Sequence, residues 1–335
     1  MASAEPQLTI IGAGELAASS YLPAAAALGW KAVLVDSDID RAEQLAGQHR
    51  IVREVRPSIS EAALSSQAAV VIATPARTHA ELGLEAIQAG ARQILLEKPP
   101  TTNRKEYEEL TSAAAAVGAT ITTSFLRRGW HSIKTSRARF DAWLAAYGTL
   151  RRASLIEGSP WGWKSMATRE RGAEGLEEIL LDELSHGFDA LFHVTGWEAP
   201  ARDPLLSVET NTLWEFRGSA RGASGNRDLA LGVAVSRTHV LANAIVLDFE
   251  GATVTVELSP SGGICVRPSG EPQLLIEGPS ALDSVAEQFA QLLQEAFTQA
   301  VGETSPPLSE WAGPLALISG FRAADADGQP VESRR

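Results

Sequence analysis

The feature that most constrains this chain is a short apolar run, Leu8–Ile11, that ends on Gly12-Ala13-Gly14-Glu15-Leu16-Ala17 and opens an alanine-rich helical stretch. Strand, tight glycine turn and helix, in that order, form the first half of a βαβ unit. Gly12 suits the tight turn, Gly14 lets backbone approach a ligand, and Ala17 permits close helix–strand packing. A pyrophosphate at the helix N-terminus fits that geometry, which makes Gly12, Ala13, Gly14, Glu15 and Leu16 candidate cofactor contacts. The next strand ends at Asp36, about 20 residues past the turn, where an acidic side chain accepts hydrogen bonds from the adenosine ribose. An acid there repels a 2′-phosphate, so NAD is expected and NADP is disfavoured.

The rest of the first third keeps the same rhythm. Strands are expected at Leu8–Ile11, Ala32–Val35, Ala69–Ala73, Gln93–Leu96 and Thr120–Thr123. Helices are expected near Leu16–Leu28, Asp40–Gln48, Thr78–Ala89 and Asn103–Val117, several of them closing at a glycine (Gly29, Gly90, Gly118). This is doubly wound α/β, a Rossmann domain over residues 1–125. After about Leu150 strands follow one another without helices between them: Leu205–Phe216, Leu229–Arg237, Ala244–Phe249, Thr253–Leu258 and Gln273–Ile276. Turn-rich pieces at Gly218–Asn226 and Ser259–Gly263 separate them, so the sheet is expected to be large and mostly antiparallel. One helix near Glu177–Val194 precedes these strands, and two, near Ser284–Ala300 and Ser309–Ala324, follow. Residues 126–325 therefore read as an α+β domain for substrate binding and oligomerisation, and 326–335 as a tail.

Composition excludes several classes. A net charge of −12 lacks the basic surface that nucleic acid or an anionic membrane requires. The single cysteine, Cys265, forms no intrachain disulfide and no cysteine-based metal site, in keeping with a reducing cytoplasm. The first residues carry no secretory pattern, and no run of 18 apolar residues occurs. A small-molecule substrate is the expected partner, with no nucleic acid and no membrane.

Three further motifs follow the glycine turn. The third of these strands leads into Thr74-Pro75 and then Thr78-His79 at a helix start, at the ligand edge of such a sheet. The fourth delivers Glu97-Lys98-Pro99 to the same edge. Downstream, Asp182, His186, Asp189 and His193 recur at helical spacing and share one face. Together with the pair Arg127-Arg128, this set resembles the glucose–fructose oxidoreductase/inositol dehydrogenase/MocA (Gfo/Idh/MocA) family of NAD(P)-dependent oxidoreductases, over nearly the whole length. The resemblance implies that Lys98 contacts substrate and cofactor at the nicotinamide end, with Glu97 beside it. It also implies that His186 is the general acid/base, oriented by Asp182, and that subunits assemble as dimers or tetramers. Thr74, Pro75 and His79 are then candidates for lining the cofactor crevice. A carboxylate one turn from an imidazole suits proton transfer near neutrality, and Lys98 suits a developing alkoxide.

Members of that family commonly carry a glycine pair just before the Leu-x-Asp of this helix and another glycine two residues after the aspartate. Here Glu178, Ile179 and Leu184 stand near those positions. Trp130, Trp161 and Trp163, with Arg128 and Lys164, are candidates for an aromatic and cationic substrate surface. The leading expectation is hydride transfer at a hydroxyl or keto carbon of a sugar, cyclitol or related polyol. Two others stand beside it: reduction of an imine or conjugated bond in biosynthesis, and a dinucleotide-binding sensor or corepressor that turns nothing over. A metal site built on Asp182, His186, Asp189 and His193 is not expected.

Overall fold

The computed structural model describes residues 7–62, 64–158, 181, 184–196, 199–200, 205–209, 213–221, 228–236, 241–298 and 303–326. The chain divides into two compact units, residues 1–126 with 283–311 and residues 127–282 with 312–335.

The first unit is built on a six-stranded parallel sheet in the order β3-β2-β1-β4-β5-β6. Its strands are β1 (Gln7–Ile11), β2 (Lys31–Val35), β3 (Val52–Arg56), β4 (Ala69–Ile72), β5 (Gln93–Leu96) and β6 (Thr120–Thr123). β1 and β4 are buried along nearly their whole length, as strands covered on both faces must be. β3 lies at the edge, and Val-Arg-Glu-Val-Arg has no apolar run to announce it. The first helical segment begins as a π-helical turn, Ala17–Tyr21, and continues as α1 (Leu22–Ala27). The connections after β2, β4 and β5 contain α2 (Ile39–Gln48), α3 (His79–Gln88) and α4 (Arg104–Val117). Leu8, Ile10, Leu34, Val71 and Leu95 form the core together with Tyr21, Leu22, Ala24 and Ala25. Chain order hides one layer of this unit. Residues 283–311 return to it and supply Phe289, Leu292 and Leu293 to the same core.

The second unit begins with α5 (His131–Tyr147) and β7 (Leu150–Gly158), neither anticipated from the pattern. Its sheet runs β15-β14-β13-β12-β7-β11-β10-β8, with β9 also paired to β10. The strands are β8 (Ala199–Pro200), β9 (Leu205–Glu209), β10 (Leu213–Arg221), β11 (Asp228–Ser236), β12 (Ala244–Phe249), β13 (Ala252–Glu257), β14 (Ile264–Pro268) and β15 (Leu274–Ile276). Among the described pairings only β7 with β11 is parallel. The stretch expected as one strand over Leu205–Phe216 is two strands, β9 and β10, paired antiparallel. β10 also runs through Gly218–Arg221, where a turn was expected, because it stays in register with β11 to its end. Alternate residues of the central strands, such as Ala153, Leu155, Ile245, Leu247, Val254 and Val256, are buried. α6 (Leu184–Thr195) packs on α5 and on β7. α7 (Val285–Phe297) belongs to the first unit, and α8 (Ala312–Ala326) to the second. Among the described residues no helix is long and apolar enough to cross a membrane.

Candidate functional site

In the first unit the glycine turn is fixed mainly by backbone. Gly12 N–H donates to the Val35 carbonyl (2.8 Å), and the residue sits at φ +104°. A Cβ there would meet the Ala73 carbonyl oxygen at 2.7 Å, so only glycine fits between β1 and the end of β4. Ala13 N–H donates to Asp36 Oδ2 (2.7 Å), while Asp38 N–H (2.9 Å) and Arg41 Nη2 (2.7 Å) donate to Oδ1. Burial works against the charge on Asp36, but the Ala13 and Arg41 donors outweigh it and hold the carboxyl below its usual range. The amides of residues 15–17 precede the first intrahelical bond, from Ala18 N–H to the Gly14 carbonyl. A Cβ on Gly14 would meet nothing within 4 Å. Open backbone at a helix N-terminus is the cradle a pyrophosphate needs, so the residues present fit a dinucleotide. Arg41, which the sequence reading missed, occupies part of the carboxylate assigned to the ribose.

At the ends of β4 and β5 a buried network holds two turns. Tyr21 donates its phenol hydrogen to Glu97 Oε1 (2.5 Å), and Lys98 N–H donates to Glu97 Oε2 (3.1 Å). Burial and the Glu97 charge push the Tyr21 phenol well above its ordinary value, so it remains a donor. The His79 ring lies within hydrogen-bonding distance of Pro99 O (Nδ1, 2.8 Å) and Thr74 O (Nε2, 2.7 Å). Burial lowers the pKa of His79, against the opposing pull of these two carbonyls. His79 and Glu97 are therefore 1% and 6% exposed and fully engaged with protein. They brace the turns, whereas direct contact with a cofactor was expected of both. Lys98 and Thr74 are only half-buried, and Pro75 is exposed.

In the second unit the described polar residues are organised by charge. Arg128 is 4% exposed and binds Asp189 through two hydrogen bonds, Nε to Oδ2 (2.9 Å) and Nη2 to Oδ1 (2.5 Å). A guanidinium so committed does not suit the role of capturing a substrate anion, as expected for Arg128. Arg127 pairs with Glu157 on β7 and lies over the ring of half-buried Trp130, 5.4 Å from its centroid. Gly187 makes room for that carboxylate, since a Cβ there would lie 2.7 Å from Glu157 Oε2. His186 and His193 are half-buried on α6, and Asp189 is 1% exposed. The described part of the polar stripe is thus not a solvated helix face. Burial, with the positive charges of Arg128 and Arg137, presses His193 down to about 3, so it is neutral. Asp182, Trp161, Trp163 and Lys164 lie outside the described residues. Among the described residues no group of three or more histidine, cysteine or acidic side chains could hold a metal ion.

A 3-2-1-4-5-6 parallel sheet with a glycine phosphate turn, followed by an α+β unit on a mixed sheet, defines a two-domain protein of the Rossmann dinucleotide-binding class. Residues 7–125 match the model of the Gfo/Idh/MocA oxidoreductase family, NAD-binding Rossmann fold. No curated protein matches by sequence. Solved structures match over nearly the full length. An oxidoreductase from Agrobacterium radiobacter in complex with NAD+, L-tartaric acid and magnesium aligns with a TM-score of 0.75 at 17% identity, covering 97% of each chain. UDP-N-acetylglucosamine 3-dehydrogenase from Acidithiobacillus ferrooxidans aligns at 0.72 and 19%, covering 96% of this chain and 98% of its own. The super-repressor mutant of Gal80p from Saccharomyces cerevisiae aligns at 0.75 and 14%, covering 97% of each chain. At these identities the likeness establishes the fold alone.

Proposed function

We propose that this chain is an NAD-dependent oxidoreductase that moves hydride to or from a hydroxyl or keto carbon of a sugar, cyclitol or related polyol. The observation that carries this reading is the Glu97-Lys98-Pro99 turn, which leaves β5 at the ligand edge of the sheet. It is braced by Tyr21 and His79, while Lys98 itself keeps partial exposure. When bound, NAD supplies the hydride-accepting carbon of its nicotinamide. Gly12 and Ala13, with their amides tied to Val35 and Asp36, would shape the turn against its pyrophosphate, which the backbone of Gly14, Glu15 and Leu16 would hold, and Asp36 would take its adenosine ribose. Lys98 would place its ammonium against the substrate oxygen and stabilise developing alkoxide charge. His186 would take or return the hydroxyl proton, oriented by Asp182 one turn earlier. Trp130, Trp161, Trp163 and Lys164 remain the proposed substrate surface. The sugar-nucleotide dehydrogenase among the similar structures supports the choice of substrate class.

The test is a screen of sugars, cyclitols and polyols for NADH formation, repeated with Lys98→Ala and His186→Ala. Each substitution is expected to lower kcat by roughly 100-fold or more, the range of a lost acid–base or electrostatic contribution. Unchanged rates in both would remove the mechanism. A second reading, a dinucleotide sensor without turnover, is favoured by the likeness to Gal80p and opposed by the retention of Lys98 and His186. Tight NADH binding without hydride exchange on any substrate would select it.

A further inference from the structure

Tyr21 sits at the end of the π-helical turn that begins at Ala17. π-turns inside helices concentrate at functional sites because they re-aim a side chain. Its ring fills the core edge-on against Phe289, with centroids 4.9 Å apart, a task phenylalanine would perform equally well. The hydroxyl is what needs explaining. A fully buried O–H must find a partner, and this one points at the carboxylate that immediately precedes Lys98. Ser124 N–H donates to the Leu96 carbonyl (2.9 Å) at the end of β5. Glu97 is therefore held at Oε1 by the helix that starts at the phosphate turn, and at Oε2 by the amide of Lys98. One side chain thus joins the segment that would bind pyrophosphate to the segment that carries the lysine.

We propose that Tyr21 is a positioning residue for Lys98, acting through Glu97, and that its phenol couples the phosphate turn to the lysine turn. This rests on the reading of Lys98 given above. With phenylalanine at position 21, Glu97 Oε1 loses its donor in a buried setting, and the lysine turn loses its tie to the glycine-turn helix. Packing is nearly conserved, so the effect falls on the placement of Lys98 and on dinucleotide affinity more than on folding.

The experiment uses the full chain and three variants, Tyr21→Phe, Glu97→Gln and the double. Two quantities are read: NADH affinity by fluorescence, and the rate at which acetic anhydride modifies Lys98, followed by peptide mass spectrometry with and without NAD+. In the unsubstituted chain NAD+ is expected to shield Lys98. Tyr21→Phe should change the modification rate of Lys98 and weaken NADH about ten-fold, a typical coupling within one buried network. It should also add little to Glu97→Gln, because both break the same link. Modification and affinity unchanged in Tyr21→Phe, or losses that simply add in the double variant, would overturn the proposal. If Tyr21→Phe does not fold, Glu97→Gln alone must alter Lys98 modification, and its failure to do so overturns the proposal equally. A Lys98 that NAD+ leaves unshielded while NADH still binds would instead overturn the reading of Lys98 itself.

Discussion

In the first unit the candidate ligand groups are backbone amides and carbonyls set by a glycine turn, whereas in the second they stand beside buried side-chain ion pairs. Gly12, Ala13 and Gly14 act through main-chain geometry, and the side chains around them, Asp36, Glu97 and His79, hold backbone in place. In the second unit, Arg128 with Asp189 and Arg127 with Glu157 fix the helix and strand that flank His186. The two arrangements fail differently. A backbone cradle is lost when a side chain intrudes, with little damage to the core. A buried ion pair is lost when one partner goes, and the whole unit feels the uncompensated charge.

The largest expected effect follows from that contrast. Asp189→Ala removes the two-bonded carboxylate partner of the Arg128 guanidinium, which is 4% exposed, and should cost about 3–5 kcal/mol of stability. Denaturant unfolding would read this, and a loss below about 1 kcal/mol would mean that solvent or another group rescues Arg128. The cradle should behave otherwise. Gly12→Ala drives a Cβ to 2.7 Å from the Ala73 carbonyl at φ +104°, so it is expected to weaken NADH by about 100-fold. Gly14→Ala meets no protein atom within 4 Å. It should leave the unfolding midpoint unchanged and still weaken NADH, since its Cβ occupies the ligand's approach. Unchanged NADH affinity in Gly14→Ala would remove pyrophosphate from this turn.

A third effect is tied to pH. His193 is held at about 3 against an ordinary value of 6.5, so the unfolded chain takes up its proton first as the pH falls. The stability linked to neutral His193 is fully present above about 6.5 and declines as the pH drops towards 3. At pH 5 the loss amounts to about 2 kcal/mol. His193→Gln carries no such proton, so its stability relative to the unsubstituted chain should rise between pH 6.5 and 5. Parallel stability profiles for the two proteins would place the imidazole in water.

The same contrast explains what could be read in advance. The phosphate turn, Asp36 and five of the six first-sheet strands are local patterns, visible as apolar runs punctuated by glycine. β3 escaped because an edge strand of Val-Arg-Glu-Val-Arg needs no apolar run. Tyr21 and Glu157 escaped because their roles depend on distant partners: Tyr21 meets Glu97 across 76 positions, and Arg127 meets Glu157 across 30. Arg128 was legible as a cation, but its partner Asp189 lies 61 positions away, and that separation decided its role. The return of residues 283–311 to the first unit follows the same rule, since chain order carries no sign of it.

The smallest expected effect marks where charge ceases to matter. Arg104 and Glu108 form an i,i+4 pair at 2.6 Å on α4, with side chains 84% and 56% exposed. The bond is nearly as short as the Arg128–Asp189 contact at 2.5 Å, and the Glu108 carboxylate holds the Arg104 guanidinium above its ordinary value. Water and salt screen it nonetheless, and both side chains give up rotamer freedom to form it. Arg104→Ala should therefore unfold at a midpoint indistinguishable from that of the unsubstituted chain, at low and at high salt. A measurable loss would show that a short ion pair stabilises this protein wherever it occurs. The difference between the units would then rest on geometry, with burial of charge playing no special part.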